Sequence, residues 1–129
     1  MPTTILEFFV VFFGAGIGGA MRHGINLSVA RWLGNGFPCA TFFINVTGSL
    51  IMGLAAGYFA FKSGGSQHWR LFLTTGILGG YTTFSTFSLD AALLYERGEV
   101  GLAAVYVIGS VMIGIVGLFA GLALVRHFA

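Results

Sequence analysis

Polar side chains interrupt the apolar pattern of this chain at only a few points, and those points divide it into four long hydrophobic stretches. The first begins near Ile5, runs through the apolar block Phe8–Met21 and continues past Arg22 and Asn26 toward Trp32. Gly34, Asn35, Gly36, Phe37 and Pro38 follow, a run of helix breakers that reads as a turn. The second stretch starts near Pro38, a favoured first-turn position, and ends at Phe61. Lys62 through Gln67 is a polar Gly/Ser loop, and Trp69 to Tyr95 is the third stretch. Arg97, Gly98 and Glu99 make the next turn before a fourth stretch that runs to Leu124, with Arg126 and His127 beyond it. A bilayer core about 30 Å thick takes roughly 20 apolar residues per helix, so each stretch can span it. The pattern predicts an all-α integral membrane protein, residues 1–129 forming one four-helix unit with spans about 4–32, 38–61, 69–95 and 100–125.

Composition agrees. Charged residues are 8% of the 129, against about 25% in an average soluble domain, and mean hydropathy is +0.93. So few charges cannot make a water-facing surface. A net charge of +2, with its basic residues scattered, argues against nucleic acid and against a polybasic lipid patch. One cysteine, Cys39, excludes an intrachain disulfide. No basic region precedes Ile5, so the first stretch is expected to be a membrane helix and not a cleaved signal. Glycines recur four apart at Gly14/Gly18, Gly53/Gly57, Gly76/Gly80 and Gly117/Gly121, the spacing that lets helices approach closely in lipid.

With four spans, both termini and the loop at Lys62 share one side of the membrane. That side holds Lys62, Arg70 and Arg126; the other holds Arg31 and Arg97, or those two and Arg22, a count of three against two or three. The Lys/Arg bias that normally orients a membrane protein is nearly absent. Such a chain is expected to insert both ways up, and two opposed copies would form an antiparallel dimer.

Polar groups at bilayer depth are expensive and mark function by default. The densest set is Gly79–Ser88, GGYTTFSTFS, and the midpoint between Trp69 and Tyr95 is residue 82. Two glycines followed by threonines at that depth predict a break in the third helix, whose freed carbonyls could hold a cation. Phe84 and Phe87 lie three apart, on one face, and their positive ring edges suit a small anion. Ser85, Thr86 and Ser88 add hydroxyl donors. Asn45, about 7 Å from the centre of the second span, brings two N–H donors without titratable charge and shares a face with Thr41. That amide serves either an anion or an interhelical bond. Ser110 sits near the middle of the fourth span, Arg22 either snorkels or draws anions to an entrance, and Asp90 is a carboxylate within the third span. His23, His68 and His127 show no metal-ligand spacing. No nucleophile stands with a base and an orienter, so the chain does not read as an enzyme. What remains is an uncharged, donor-lined path, the compromise between binding and release that conduction requires.

The run GGYTTFSTFSLD, with Pro38, Cys39, Ala40, Thr41 and Asn45 upstream, closely resembles the Fluc/CrcB family of fluoride channels over essentially the whole chain. Arg22 after a Gly-rich first span and Ser110 in the fourth also match. The resemblance implies an antiparallel dual-topology homodimer with two fluoride pores in a cell inner membrane. It implies that Phe84 and Phe87 are pore phenylalanines contributed across the dimer and Asn45 the pore amide. Ser85 and Thr86 would belong to a polar track, Thr41 and Ser110 would lie beside the pore and its vestibule, and Arg22 near its entrance. Gly79 and Thr82 of both subunits would hold a central structural sodium ion (Na+) through backbone carbonyls. The function implied is passive export of cytoplasmic fluoride to relieve its toxicity. Ala40 stands where the family usually has glycine, and Asp90 where some members carry glutamate.

Two other classes fit part of the pattern. A small proton-coupled multidrug carrier is also compact and dual-topology, but it needs a membrane-embedded carboxylate, and Glu7 lies near the end of the first span. A membrane scaffold would use Asn45 and Phe84 for stability alone.

Overall fold

The computed structural model describes residues 2–34, 36–61 and 66–128. Asn35 and residues 62–65, which carry part of the expected turn, most of the expected Gly/Ser loop and the Lys62 charge, lie outside the described residues. Every element of the described chain is helical. Helix α1 is Pro2–Leu33 and α2 is Cys39–Phe61. Helix α3, residues 67–81, has three parts: an α-helical turn Gln67–Leu71, a π-helical stretch Phe72–Leu78 and a last turn Gly79–Tyr81. After a break, α4 is Ser85–Glu96 and α5 is Val100–Phe128. Helices α1, α2 and α5 are each long and apolar enough to cross a membrane, and α3 and α4 together make a bent fourth crossing.

The ends of these helices follow from local chemistry. Gly34, at φ +75°, ends α1, and its N–H bonds to the Ala30 carbonyl at 3.2 Å. Gly98, at φ +83°, ends α4: its N–H bonds to Tyr95 and that of Glu99 to Leu94, the paired closure that a left-handed residue permits. The Ser66 hydroxyl accepts the Trp69 N–H at 3.1 Å and starts α3.

Lipid removes most of the hydrophobic drive between helices, so close backbone packing must supply it. Helices form two tight pairs, α1 with α3 and α2 with α5. Glycines make both contacts. A methyl group on Gly18 would collide with the Ile77 carbonyl and the Tyr81 amide; one on Gly14 would meet Gly76, and one on Gly80 would strike Ala15. In the second pair, Gly53 lies against Leu118, Gly57 against Val125 and Gly121 against Leu50.

The π-helical stretch has a physical reason in the same contacts. The α3 positions that meet α1 are Phe72, then Gly76 and Ile77, then Gly80 and Tyr81. They recur every four to five residues. At about 3.6 residues per turn such a stripe would wind around the helix and leave α1. The wider π turn, with i→i+5 bonding, keeps it facing its partner.

Little is fully buried inside the chain: Ile44, Leu94 and Tyr106 are the largest such side chains among the described residues. Phe8, Phe12, Ile108, Val116 and Phe119 stand out on the surface, as lipid-facing residues should. Replacing Gly18 with leucine is expected to cost at least about 2 kcal/mol, because backbone on α3 blocks the new side chain. Gly16→Ala, where no described neighbour lies within 4 Å, should be neutral or slightly stabilising. Thermal stability in detergent, followed by size-exclusion chromatography, separates the two outcomes.

Candidate functional site

The break between α3 and α4 is where polar groups converge. Thr82 closes α3: its N–H and its hydroxyl both donate to the Leu78 carbonyl, at 3.0 and 2.9 Å. Thr82 then turns extended, at φ −84° and ψ 161°. Thr83 opens α4, its hydroxyl accepting the Thr86 N–H at 3.1 Å. The two threonines of the motif are thus a stop and a start.

Asn45 on α2 holds the gap. Its Oδ1 accepts the Thr83 N–H at 2.9 Å and its Nδ2 donates to the Thr83 carbonyl at 2.9 Å. The amide imitates a strand partner. In an unbroken helix Thr83 N–H would bond to the Gly79 carbonyl. Gly79 loses that partner and is exposed. Arg22 reaches the same region, its Nε donating to the Gly80 carbonyl at 3.2 Å, a cation placed at the negative end of α3. Tyr81 is buried, and its hydroxyl and that of Thr47 lie 2.9 Å apart.

The two phenylalanines separate. Phe84 is 78% exposed, whereas Phe87 is 9% exposed and packs on Tyr106 with ring centroids 5.1 Å apart. The Phe84 and Phe87 centroids are 5.8 Å apart. Ser88 spends its hydroxyl on the Phe84 carbonyl at 3.0 Å. The Ser85 hydroxyl lies 3.4 Å from that of Thr83 and is exposed.

Two cavities flank this region. One, of about 320 Å³, is walled by Asn45, Ser49, Thr82, Phe84, Phe87 and Ser110, and no charged side chain among the described residues lines it. The Ser110 hydroxyl is buried with no hydrogen-bond partner among the described residues. The other, of about 410 Å³, opens toward the Pro38 end and is lined by Asn26, Thr41, Thr86, Asp90 and Arg97, among apolar neighbours. Thr41 is buried there. The Tyr106 hydroxyl donates to Asp90 Oδ2 at 3.1 Å, tying α5 to α4.

The structure therefore brings Asn45, Phe84, Phe87 and Ser110 to one cavity and Thr41 and Thr86 to the other; Arg22, Gly79 and Thr82 lie at the break itself. As site residues, Tyr106 and Arg97 were missed in reading the sequence. Tyr106 carried a signal, a hydroxyl among apolar residues of a membrane helix, but its partner is sixteen residues away on another helix. No group of three or more His, Cys, Asp or Glu side chains that could hold a metal occurs among the described residues.

Such a fold and site define a small multi-pass membrane protein built around a broken, donor-rich helix. The chain belongs to the CrcB family: the family model described as CrcB-like protein, Camphor Resistance (CrcB), matches residues 9–122. The fluoride-specific ion channel FluC of Rhodopseudomonas palustris (strain BisB5) is 69% identical over 121 residues, 94% of this chain and 98% of that protein. Fluoride-specific ion channel FluC 2 of Nitrobacter hamburgensis is 62% identical over 122 residues, covering 95% and 98%. The FluC of Methylobacterium nodulans is 61% identical over 124 residues, covering 96% and 99%.

Asn45→Leu, which removes both bonds to Thr83, is expected to destabilise the protein by about 2–3 kcal/mol. Asn45→Asp should be less harmful at low pH and worse as pH rises. A protonated carboxyl can still donate to the Thr83 carbonyl, whereas a carboxylate repels it. Melting temperature across pH, compared with the parent protein, reads both effects.

Proposed function

We propose that this protein is a fluoride-selective channel, acting as an antiparallel dual-topology homodimer in the cell inner membrane. The observation that carries the reading is the Ser110 hydroxyl, buried and without a partner among the described residues, in an uncharged cavity that also holds Asn45, Phe84 and Phe87. The 69% and 62% identical relatives, named fluoride channels, support it.

Fluoride is small and strongly hydrated. A site for it must replace water with donors yet release it, which N–H, O–H and ring-edge C–H groups do without a full charge. Asn45 uses one N–H of Nδ2 on Thr83, which leaves the second for the ion while the bond fixes its direction. Ser110 supplies a hydroxyl from α5. Phe87 presents its ring from within the protomer, and Phe84, exposed, reaches toward a partner. Ser85 and Thr86 continue the track toward the Thr41 cavity. Arg22 uses Nε on Gly80, which places its positive charge at the break, where it favours an anion in the neighbouring path. One protomer buries too little to enclose a pore, so two opposed copies complete it.

The residues also suit a central sodium ion. Gly79 has lost its helical N–H partner and is exposed, and Thr82 leaves its carbonyl at an extended residue. Backbone oxygens of this kind are hard donors, appropriate to a hard cation. Two copies would present four of them. When bound, the ion supplies fixed positive charge and ties the copies together.

Export follows from physical chemistry. Fluoride enters from acid surroundings as neutral HF and ionises inside. A negative-inside potential then drives the anion outward by about 2.3 kcal/mol per 100 mV.

Liposomes containing the purified protein are expected to release fluoride and retain chloride; no fluoride release from well-folded dimers would overturn the reading. Phe84→Ile should fold normally and lose at least about tenfold in flux, which a scaffold role would not produce. Glu7→Gln should leave efflux intact; loss of transport would favour a proton-coupled carrier, although Glu7 borders neither cavity at the break. Replacing sodium by a bulky organic cation should lower the melting temperature of the dimer, in proportion to the logarithm of the sodium concentration.

A further inference from the structure

We propose that Arg97 is an anion-gathering residue at the mouth of the conduction path, where it offsets the charge of Asp90. The inference rests on the fluoride-channel reading. The cavity of about 410 Å³ leads from the α1–α2 turn to Thr86. Among the described residues, its walls carry two charged side chains, Asp90 and Arg97. A carboxylate alone in that wall would repel any anion approaching Thr86 and Thr41. Arg97 balances Asp90 within the described wall of the cavity and places its positive charge at the outer end of α4, next to Glu96.

The guanidinium is held but not used up. Its Nη2 donates to the Gly36 carbonyl at 3.3 Å, tying the α4–α5 turn to the α1–α2 turn. The same Nη2 lies 3.6 Å from Glu99 Oε2, and both side chains are about half exposed (50% and 45%). A pair that long and that exposed is screened by water and leaves the charge largely unneutralised. Both contacts use Nη2, so among the described residues Nε and Nη1 keep their donors. Asp90, in contrast, accepts from the Tyr106 hydroxyl deeper in the wall. The two opposite charges thus sit at different depths of one cavity, cation outside and anion inside. An approaching anion meets Arg97 first; deeper in, the Asp90 carboxylate is engaged by the Tyr106 hydroxyl, and Thr86 and Thr41 offer neutral donors.

Fluoride current in planar bilayers at fixed fluoride, with ionic strength raised by an impermeant organic salt, tests this. Arg97→Gln is expected to lower the current roughly threefold at low ionic strength, and Arg97→Glu about tenfold, as for lost electrostatic steering. The ratio to the parent should approach one near 1 M salt, where the screening length is about 3 Å. Arg97→Lys, which keeps the charge but not the planar fork, should restore most of the low-salt current. An equal loss at every ionic strength in both Arg97→Gln and Arg97→Lys would overturn the proposal and leave Arg97 as a tether for the two turns. Unchanged current in Arg97→Glu would overturn it as well. A parent protein that conducts no fluoride would bring down the functional reading itself, a result distinct from either.

Discussion

The paired hydrogen bonds between the Asn45 amide and the Thr83 backbone, both 2.9 Å, are the constraint on which the rest of the site depends. Inside a bilayer a backbone N–H or C=O without a partner costs several kcal/mol, so a helix cannot simply stop at mid-membrane. It stops here because one side chain supplies a donor and an acceptor at the spacing of a peptide group. Thr82 and Thr83 satisfy the groups on either side. Gly79 and Gly80 are then left with carbonyls outside the helical ladder, and Arg22 takes the second of them. Conversion of a hydrogen-bonding problem into a set of oriented polar groups is what makes the segment chemically useful.

The same segment must also be held at the correct rotation. Backbone contact between α1 and α3 does this, with Gly14, Gly18, Gly76 and Gly80 removing the side chains that would keep the helices apart. The π-helical stretch Phe72–Leu78 adjusts the winding of α3 to the stripe it presents. Since only the short turn Gly79–Tyr81 separates that stretch from the break, the rotation of the break is set by the π turn. The second pair, α2 with α5, brings Asn45 and Ser110 to the same cavity from two helices. Neither pair relies on a large apolar core, which lipid would not reward.

Charge is placed sparingly. Among the described residues, the cavity beside the break has no charged wall, and the outer cavity has one charge of each sign. Asp90 is fastened by Tyr106 and Arg97 by Gly36, so both are fixed in space.

Four helices, the turn at Arg97–Glu99 and a break near residue 82 were legible in the sequence, because lipid thickness and helix-breaking residues act locally and leave a direct pattern. The glycine pairs were legible as packing notches for the same reason. The polar segment was legible too, since hydroxyls are costly at bilayer depth and stand out against an apolar background. Partners that are distant in sequence were not legible. That Asn45 faces Thr83, 38 residues away, Arg22 faces Gly80, 58 away, and Arg97 faces Gly36, 61 away, follows only from how the helices pair. Phe84 and Phe87 look alike three residues apart, yet one is exposed and the other is packed on Tyr106, because the break precedes the first and α5 covers the second. Likewise the π turn has no local signature: it arises from matching the contact stripe of α3 to α1. Local chemistry determined where the chain crosses the membrane and where it breaks; tertiary packing alone decided which donors converge, since convergence depends on helix rotation and pairing, which no single segment encodes.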